Sequence, residues 1–266
     1  MLPSFFYLWG MIKEFFFRVL RFIGVLGVIY ISMVFYLALT ERQKAFPRAI
    51  THKEANEAIS GKAKGISCTL EDGTLLGGWM MGNGTAPILL YYPDAEEDAA
   101  QFLAEVGEHP NFTLVSFNYR GGGNNKGTPS QETFESDANQ IAQCAAQVNE
   151  SGFAYIAGRG IGAILAAKQG LIPAYNKTPL LFIDPVFSIA DAISSKYGFL
   201  YPKFLIRADV SIEPDQLKNL EQRASIIYDQ SQFELRTNEN SVSLVTSRKI
   251  LRKGNPLKEV FSNLSK

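Results

Sequence analysis

The sequence predicts an α/β fold carried behind one long apolar helix. Three observations predict it. A 19-residue stretch, Phe22 to Thr40 (FIGVLGVIYISMVFYLALT), contains no charged residue. From residue 65 onward, short apolar runs alternate with helix-compatible segments, as expected for a parallel sheet with helices on both faces. Glycines cluster where two of these runs end. Composition narrows the function classes. Of 266 residues 46% are hydrophobic, far from the composition of a disordered chain. The 26 basic and 26 acidic side chains balance, so no positive field exists to collect a nucleic acid. The two cysteines, Cys68 and Cys144, do not make a disulfide scaffold, and no Cys/His cluster has metal-ligand spacing. Neither a metal nor a cofactor is expected.

Residues 22–40 reach roughly 28 Å as a helix, close to the hydrocarbon thickness of a bilayer. Arg18 and Arg21 precede them, and Glu41, Arg42 and Lys44 follow. The stretch is too long for the core of a signal peptide, and no small-residue cleavage site follows it. It is read as a single-pass membrane anchor whose lipid contact is the chain's first partner. Flanking positive charges nearly cancel and assign no orientation. Residues 1–21 are apolar and aromatic, interrupted by Lys13 and Glu14, and either lie at the interface or extend the helix. Residues 41–64 read as a polar juxtamembrane linker, leaving 65–266 as one domain of ordinary size.

Within that domain, the run from Ile66 to Leu70, the turn signal Asp72-Gly73 and the run from Leu75 to Met81 predict a hairpin. Strands follow at 87–92, 112–118, 153–157, 180–183, 224–228 and 242–246. Helices are expected over 95–107, 133–149 and 161–170.

The most specific segment is Ser116-Phe-Asn-Tyr-Arg-Gly-Gly-Gly-Asn-Asn-Lys-Gly-Thr-Pro-Ser130. It resembles the N-Y-R-G-x-G-x-S-x-G-x-P-S loop of α/β-hydrolases, in particular their membrane-anchored serine-hydrolase branch with an N-terminal helix. The resemblance rests on Asn118, Tyr119, Arg120, Gly121, Gly123, Gly127, Pro129 and Ser130, and on Asp137 in the next helix. It extends from about Ile66 to about Phe233. It implies an α/β-hydrolase-like, mostly parallel sheet preceded by a transmembrane helix. It aligns Tyr92 and Asp94 with the oxyanion segment, and Gly158-Arg-Gly-Ile-Gly162 with the nucleophile elbow, normally G-x-S-x-G.

The chemistry that this resemblance implies is degenerate here. Gly160 stands at the nucleophile position and carries no side chain. A catalytic histidine would follow the last strand, yet His52 and His109 both precede the elbow. The acid position falls on Asp229, Ser231 or a neighbour, with Asp184 an alternative, but an acid without a histidine to orient has no triad role. Pro93 donates no N–H and Asp94 brings negative charge to the oxyanion site, leaving the N–H of Ile161 as the usable donor. Losing nucleophile or base alone costs about 10⁶ in kcat, roughly 8 kcal/mol of barrier.

The expectation is therefore a catalytically inactive, membrane-held protein with a binding, scaffold or accessory role and a possible protein partner. Two alternatives come from other classes. A rearranged esterase would need Ser67, Ser116, Ser130 or Cys144 to act without a visible base. A nucleotide-binding protein would use Gly158-Arg-Gly-Ile-Gly-Ala163, a formal G-x-G-x-x-A match, with Asp184 on a ribose. Arg159 either binds a carboxylate or phosphate beside the helix N-terminus, or faces solvent or pairs with a nearby acid. The aromatic segment from Asp184 to Pro214 either packs over the sheet edge or offers a partner- or lipid-facing surface. The basic tail, 248–266, reads as a solvated helix or a contact for anionic lipid. Sequons at Asn83, Asn111, Asn149, Asn176 and Asn263 matter only for a lumenal domain.

Overall fold

The computed structural model describes residues 3–46, 48–229, 248–252, 257–258 and 261. The first helix, α1, runs Pro3–Ala45 without interruption, so the apolar residues before Phe22 extend the same helix. Part of α1 is long and apolar enough to cross a membrane, and only 6% of that stretch is buried in the protein.

Residues 41–64 do not form a free linker. Glu41 is 5% exposed, and its carboxylate accepts from the Tyr201 hydroxyl at 2.5 Å and from the backbone N–H groups of Arg207 and Ala208, both at 2.6 Å. Leu37, Ala45 and Phe46 are buried with it, and the Phe46 ring packs 5.4 Å from that of Phe134. A short helix α2, Lys53–Ile59, then leads to the sheet. A polar residue reads as solvated unless its partners are known, and those of Glu41 lie some 160 residues away.

The predicted hairpin is present as β1 (Ala63–Thr69) and β2 (Leu75–Met81), paired antiparallel. The other strands are β3 (Ile88–Tyr92), β4 (Thr113–Phe117), β5 (Phe153–Arg159), β6 (Leu180–Ile183), β7 (Ala224–Asp229) and β8 (Arg248–Arg252). They form one sheet in the order β1-β2-β4-β3-β5-β6-β7-β8, parallel from β4 to β8. Every residue of β3, β4 and β6 is buried, which is why β3 and β6 read as unbroken apolar runs. The helices are α3 (Ala99–Val106), α4 (Gln131–Ala146), α5 (Gly162–Leu171), α6 (Ile189–Tyr197) and α7 (Pro214–Leu220). One core joins α4 and α5 to one face of the sheet, and a second joins α2 and α3 to the other.

Cys144 is disulfide-bonded to Cys68, and the bond staples α4 to β1. Arg248–Arg252 is a strand, and Leu257 and Phe261 are fully buried, so the described residues of the tail are not a solvated helix. The strand expected at 242–246 lies outside the described residues. His109 is only 6% exposed and stacks on Phe112 with ring centroids 4.5 Å apart. Burial lowers its pKa below the ordinary 6.5, with a backbone hydrogen bond at Phe261 acting the other way. Folded His109 thus resists the proton that the unfolded chain accepts. Stability contributed by this group is present above pH ~6.5 and is lost as pH falls from there through the depressed folded value. Urea melts of the full chain between pH 7.5 and 5 should show this loss, and His109→Phe should remove it. An identical pH slope in the variant would refute the assignment.

Candidate functional site

The site is built on the turn from β5 to α5. Gly160 sits there with φ +52°, a conformation that L side chains rarely adopt. Its flanking glycines are required by close approach. A Cβ on Gly158 would strike the Gly162 carbonyl, and one on Gly162 would strike the Tyr92 and Pro93 carbonyls. The G-x-G-x-G spacing is therefore the steric signature of a strand and helix meeting at a sharp turn over the end of β3.

Asp94 closes this turn. Its Oδ1 accepts from the Ile161 N–H at 3.0 Å and from the Ala95 N–H at 2.8 Å. A Cβ added to Gly160 would fall on that same carboxylate. The Ile161 N–H, expected to be a usable donor, is thus already satisfied by a negative group of the chain itself. The Asp94 N–H in turn donates to Glu97 Oε2 at 2.9 Å.

Glu97 is the centre of the surrounding charge network. It also accepts from the Tyr91 hydroxyl at 2.6 Å, and its other oxygen lies 3.3 Å from Arg159 Nη1. Burial raises its pKa, while Arg159 and the Tyr91 hydroxyl pull the other way. Burial likewise holds the Tyr91 phenol well above 10. Arg159 reaches Glu105 Oε2 as well, at 3.2 Å. Burial opposes its charge, but Tyr91, Glu97 and Glu105 more than offset this and raise its pKa. The pairing alternative for Arg159 is the one observed.

Asp94, Glu97, Glu105 and Arg159 line a groove of about 650 Å³ together with His52 and Glu54. The chain folds back at α2 to bring His52 there. The His52 Nδ1 accepts from the Ala55 N–H at 3.2 Å and caps α2. The groove lining contains no hydroxyl and no thiol among the described residues.

No protein-family profile matches the sequence, and no curated protein matches it. Solved structures do. An α/β-hydrolase from Vibrio vulnificus superposes with a TM-score of 0.59 at 16% identity, covering 86% of this chain and 90% of that one. The chain has the α/β-hydrolase fold. A Pyrococcus furiosus esterase also superposes, with a TM-score of 0.52 at 15% identity, covering 82% of this chain and 91% of that one.

Within the hydrolase fold, Gly160 follows β5 at the elbow where the sequence resemblance expects a nucleophile. Asp229 ends β7, and Ser231 lies outside the described residues. Asp184 follows β6 with φ +43°, and its N–H donates to the Ile227 carbonyl at 2.8 Å. Tyr92, placed by the resemblance in the oxyanion segment, does not reach the groove. It is fully buried, and its hydroxyl donates to the Ala138 carbonyl at 2.8 Å.

The glycine-rich loop proves to be a structural clamp. The Arg120 Nε and Nη2 donate to the two Asp137 carboxylate oxygens at 2.9 and 2.8 Å, and Nη1 donates to Asp72 and Thr74. Gly121, Gly123 and Gly127 all have positive φ, and the Gly123 N–H donates to the Ala49 carbonyl at 2.7 Å. Asn118 ties the loop to α3 through the Ala99 N–H and Asp98, and Tyr119 donates to the Pro93 carbonyl at 2.7 Å. Pro129 accepts from Arg42 of α1 at 2.9 Å, and Ser130 caps α4.

Three of the four groups offered as substitute nucleophiles have other employment. Ser116 is fully buried on the Tyr91 carbonyl, Ser130 is a helix cap, and Cys144 is in the disulfide. Sequence reasoning missed Glu97, Glu105 and the return of His52. The only local signal was the acidic run Glu96-Glu97-Asp98, which reads equally well as the start of α3.

Proposed function

We infer that this chain is a membrane-anchored α/β-hydrolase-fold protein without hydrolase activity, with a binding or accessory role. The observation that carries this reading is the Asp94 carboxylate on the Ile161 N–H, above a glycine at the elbow. An acyl-transfer site needs a nucleophile there and N–H groups free to meet a developing oxyanion. Here the nucleophile is replaced by hydrogen and the donor is held by a resident anion. The same anion disfavours a phosphate at the N-terminus of α5, which weighs against dinucleotide binding. The groove beside it carries more carboxylates than cations, which also weighs against Arg159 as an anion receptor.

Fluorophosphonate labelling and short-chain ester turnover of the purified full chain test the reading. Neither should exceed a heat-denatured control, and stoichiometric labelling would overturn it. Gly160→Ser should not create activity, because the new side chain falls on the Asp94 carboxylate and the Ile161 N–H stays occupied by that same group. It should lower the melting temperature, since the new side chain meets both a positive φ and Asp94. A strained φ of this kind costs of order 1–3 kcal/mol. Adding Asp94→Ala should recover part of that loss, and additivity of the two changes would refute the contact.

A further inference from the structure

The geometry points to a membrane contact made by the folded domain itself: the turn after α6 enters the lipid leaflet beside the anchor helix, with Phe199 and Phe204 inserted. This deepens the preceding proposal and rests on its reading of α1 as a membrane anchor. The cap segment concerned is α6 followed by two single-turn helices, Gly198–Leu200 and Lys203–Leu205.

The first observation is a depth marker. The Tyr30 hydroxyl donates to the Phe199 carbonyl at 3.1 Å. Tyr30 lies near the middle of the charge-free stretch Phe22–Thr40. Below this contact only Phe22–Ile29 remains free of charge, about 12 Å of helix. A bilayer core is roughly 30 Å thick. Arg18 and Arg21 close the stretch on the far side. The apolar helix can therefore match the bilayer only if residues beyond Tyr30 also sit in hydrocarbon, and the cap turn goes in with them.

The second observation is what stays uncovered at the height of the cap, on the far face of the helix and on the cap itself. Ile31, Phe35 and Leu39 are 67%, 63% and 69% exposed, although Leu37 on the other side is buried by the domain. Phe199 and Phe204 are 79% and 84% exposed on the cap itself. Large apolar groups in this number need a cover, and lipid already surrounds the helix they adjoin. The backbone tolerates this location. Gly198–Leu200 is hydrogen-bonded as a helical turn, and the Phe199 carbonyl is satisfied by Tyr30, as irregular backbone at membrane depth requires.

The third observation is the charge placement. Lys44 lies 5.5 Å from the Tyr36 ring and 5.8 Å from the Tyr197 ring, and Lys196 lies 6.0 Å from the latter. Lys203 pairs with Asp191 at 2.5 Å. Lysines over aromatic rings are the side chains that reach up to headgroups from a buried stem. The rigid seat of Glu41 on the Tyr201 hydroxyl and the 207–208 backbone holds the cap at a constant angle to the helix.

The test uses the full chain in phosphatidylcholine vesicles containing a lipid spin-labelled on its acyl chain. Phe199→Cys and Phe204→Cys are each labelled with an environment-sensitive fluorophore. Ile29→Cys reports the helix, and Lys177→Cys, exposed before β6, reports the opposite edge of the sheet. The expected result is blue-shifted emission and loss of signal to the spin label at 199, 204 and 29, with neither at 177. Quenching at 29 but not at 199 or 204 overturns the cap insertion and leaves the anchor standing. Quenching at none of the four refutes the anchor reading itself. An unquenched cap label in a protein that cross-links as a dimer through position 199 assigns the face to a second copy and also overturns the proposal.

Discussion

Arg120→Ala should be among the most damaging single substitutions in the domain, lowering unfolding free energy by about 3 kcal/mol. The Arg120 side chain is 10% exposed and its partner Asp137 is 5% exposed. Both Asp137 oxygens are engaged by the guanidinium, at 2.8 and 2.9 Å. Removing the arginine leaves a carboxylate away from water with its principal cation gone, and it releases the Gly127 backbone that packs on the arginine stem. The more exposed Asp72 contact, at 2.6 Å, adds little. Asp72→Ala should therefore be mild where Asp137→Ala is severe. Arg120→Lys should rescue poorly, because an ammonium cannot reproduce the two-pronged contact. Urea denaturation of the full chain in detergent, followed by far-ultraviolet circular dichroism, measures each. Equal effects from the Asp72 and Asp137 variants would show that the clamp is not centred where the geometry has it.

Loss of the Cys68–Cys144 bond should cost about as much. The bond closes a loop with a sequence separation of 76 residues. Chain-entropy estimates for a loop of this length give about 4 kcal/mol, less whatever order the reduced unfolded chain keeps. The bond joins the antiparallel hairpin to α4, whose other contacts hold the Asp137 end of the clamp. Cys68→Ser, Cys144→Ser and the double variant should be destabilised alike, and reductant should bring the native chain to the same level. Thiol alkylation with and without reductant provides the control. If native protein alkylates at both cysteines before reduction, the bond is absent and the prediction fails. The full contribution is expected only in an oxidising compartment.

What could be read from the sequence was whatever physics imposes locally. Strands buried on both faces announced themselves as apolar runs, for example Leu180–Ile183. Asp72-Gly73 turned the hairpin where turn chemistry requires. The three glycines around Arg159 and Ile161 were legible because two backbones cross at that turn and leave no room for a Cβ. The degenerate elbow was legible for the same reason, since one position either carries a hydroxyl or does not.

What stayed hidden was contact across long sequence separations. Nothing in Tyr92-Pro93-Asp94 says that the carboxylate reaches Ile161, 67 residues on. Glu41 reads as the polar end of an anchor, and only its partners in the cap reveal a buried residue. Likewise, Cys144 within Gln143-Cys-Ala145 has the pattern of small core packing, and the spacing to Cys68 carries no pairing signal. The basic look of 248–252 concealed a strand, because strand β8 is selected by the free edge of β7 and not by its own hydrophobicity.

The seating of Glu41 has a mechanical meaning. A carboxylate gripped by a phenol and two amides removes the swivel that a polar tether would supply between the long apolar helix and the sheet domain. Tilt of the helix becomes tilt of the sheet. The mouth of the groove at Asp94 and Arg159 then keeps one bearing to the helix axis, and whatever visits it must approach along that heading.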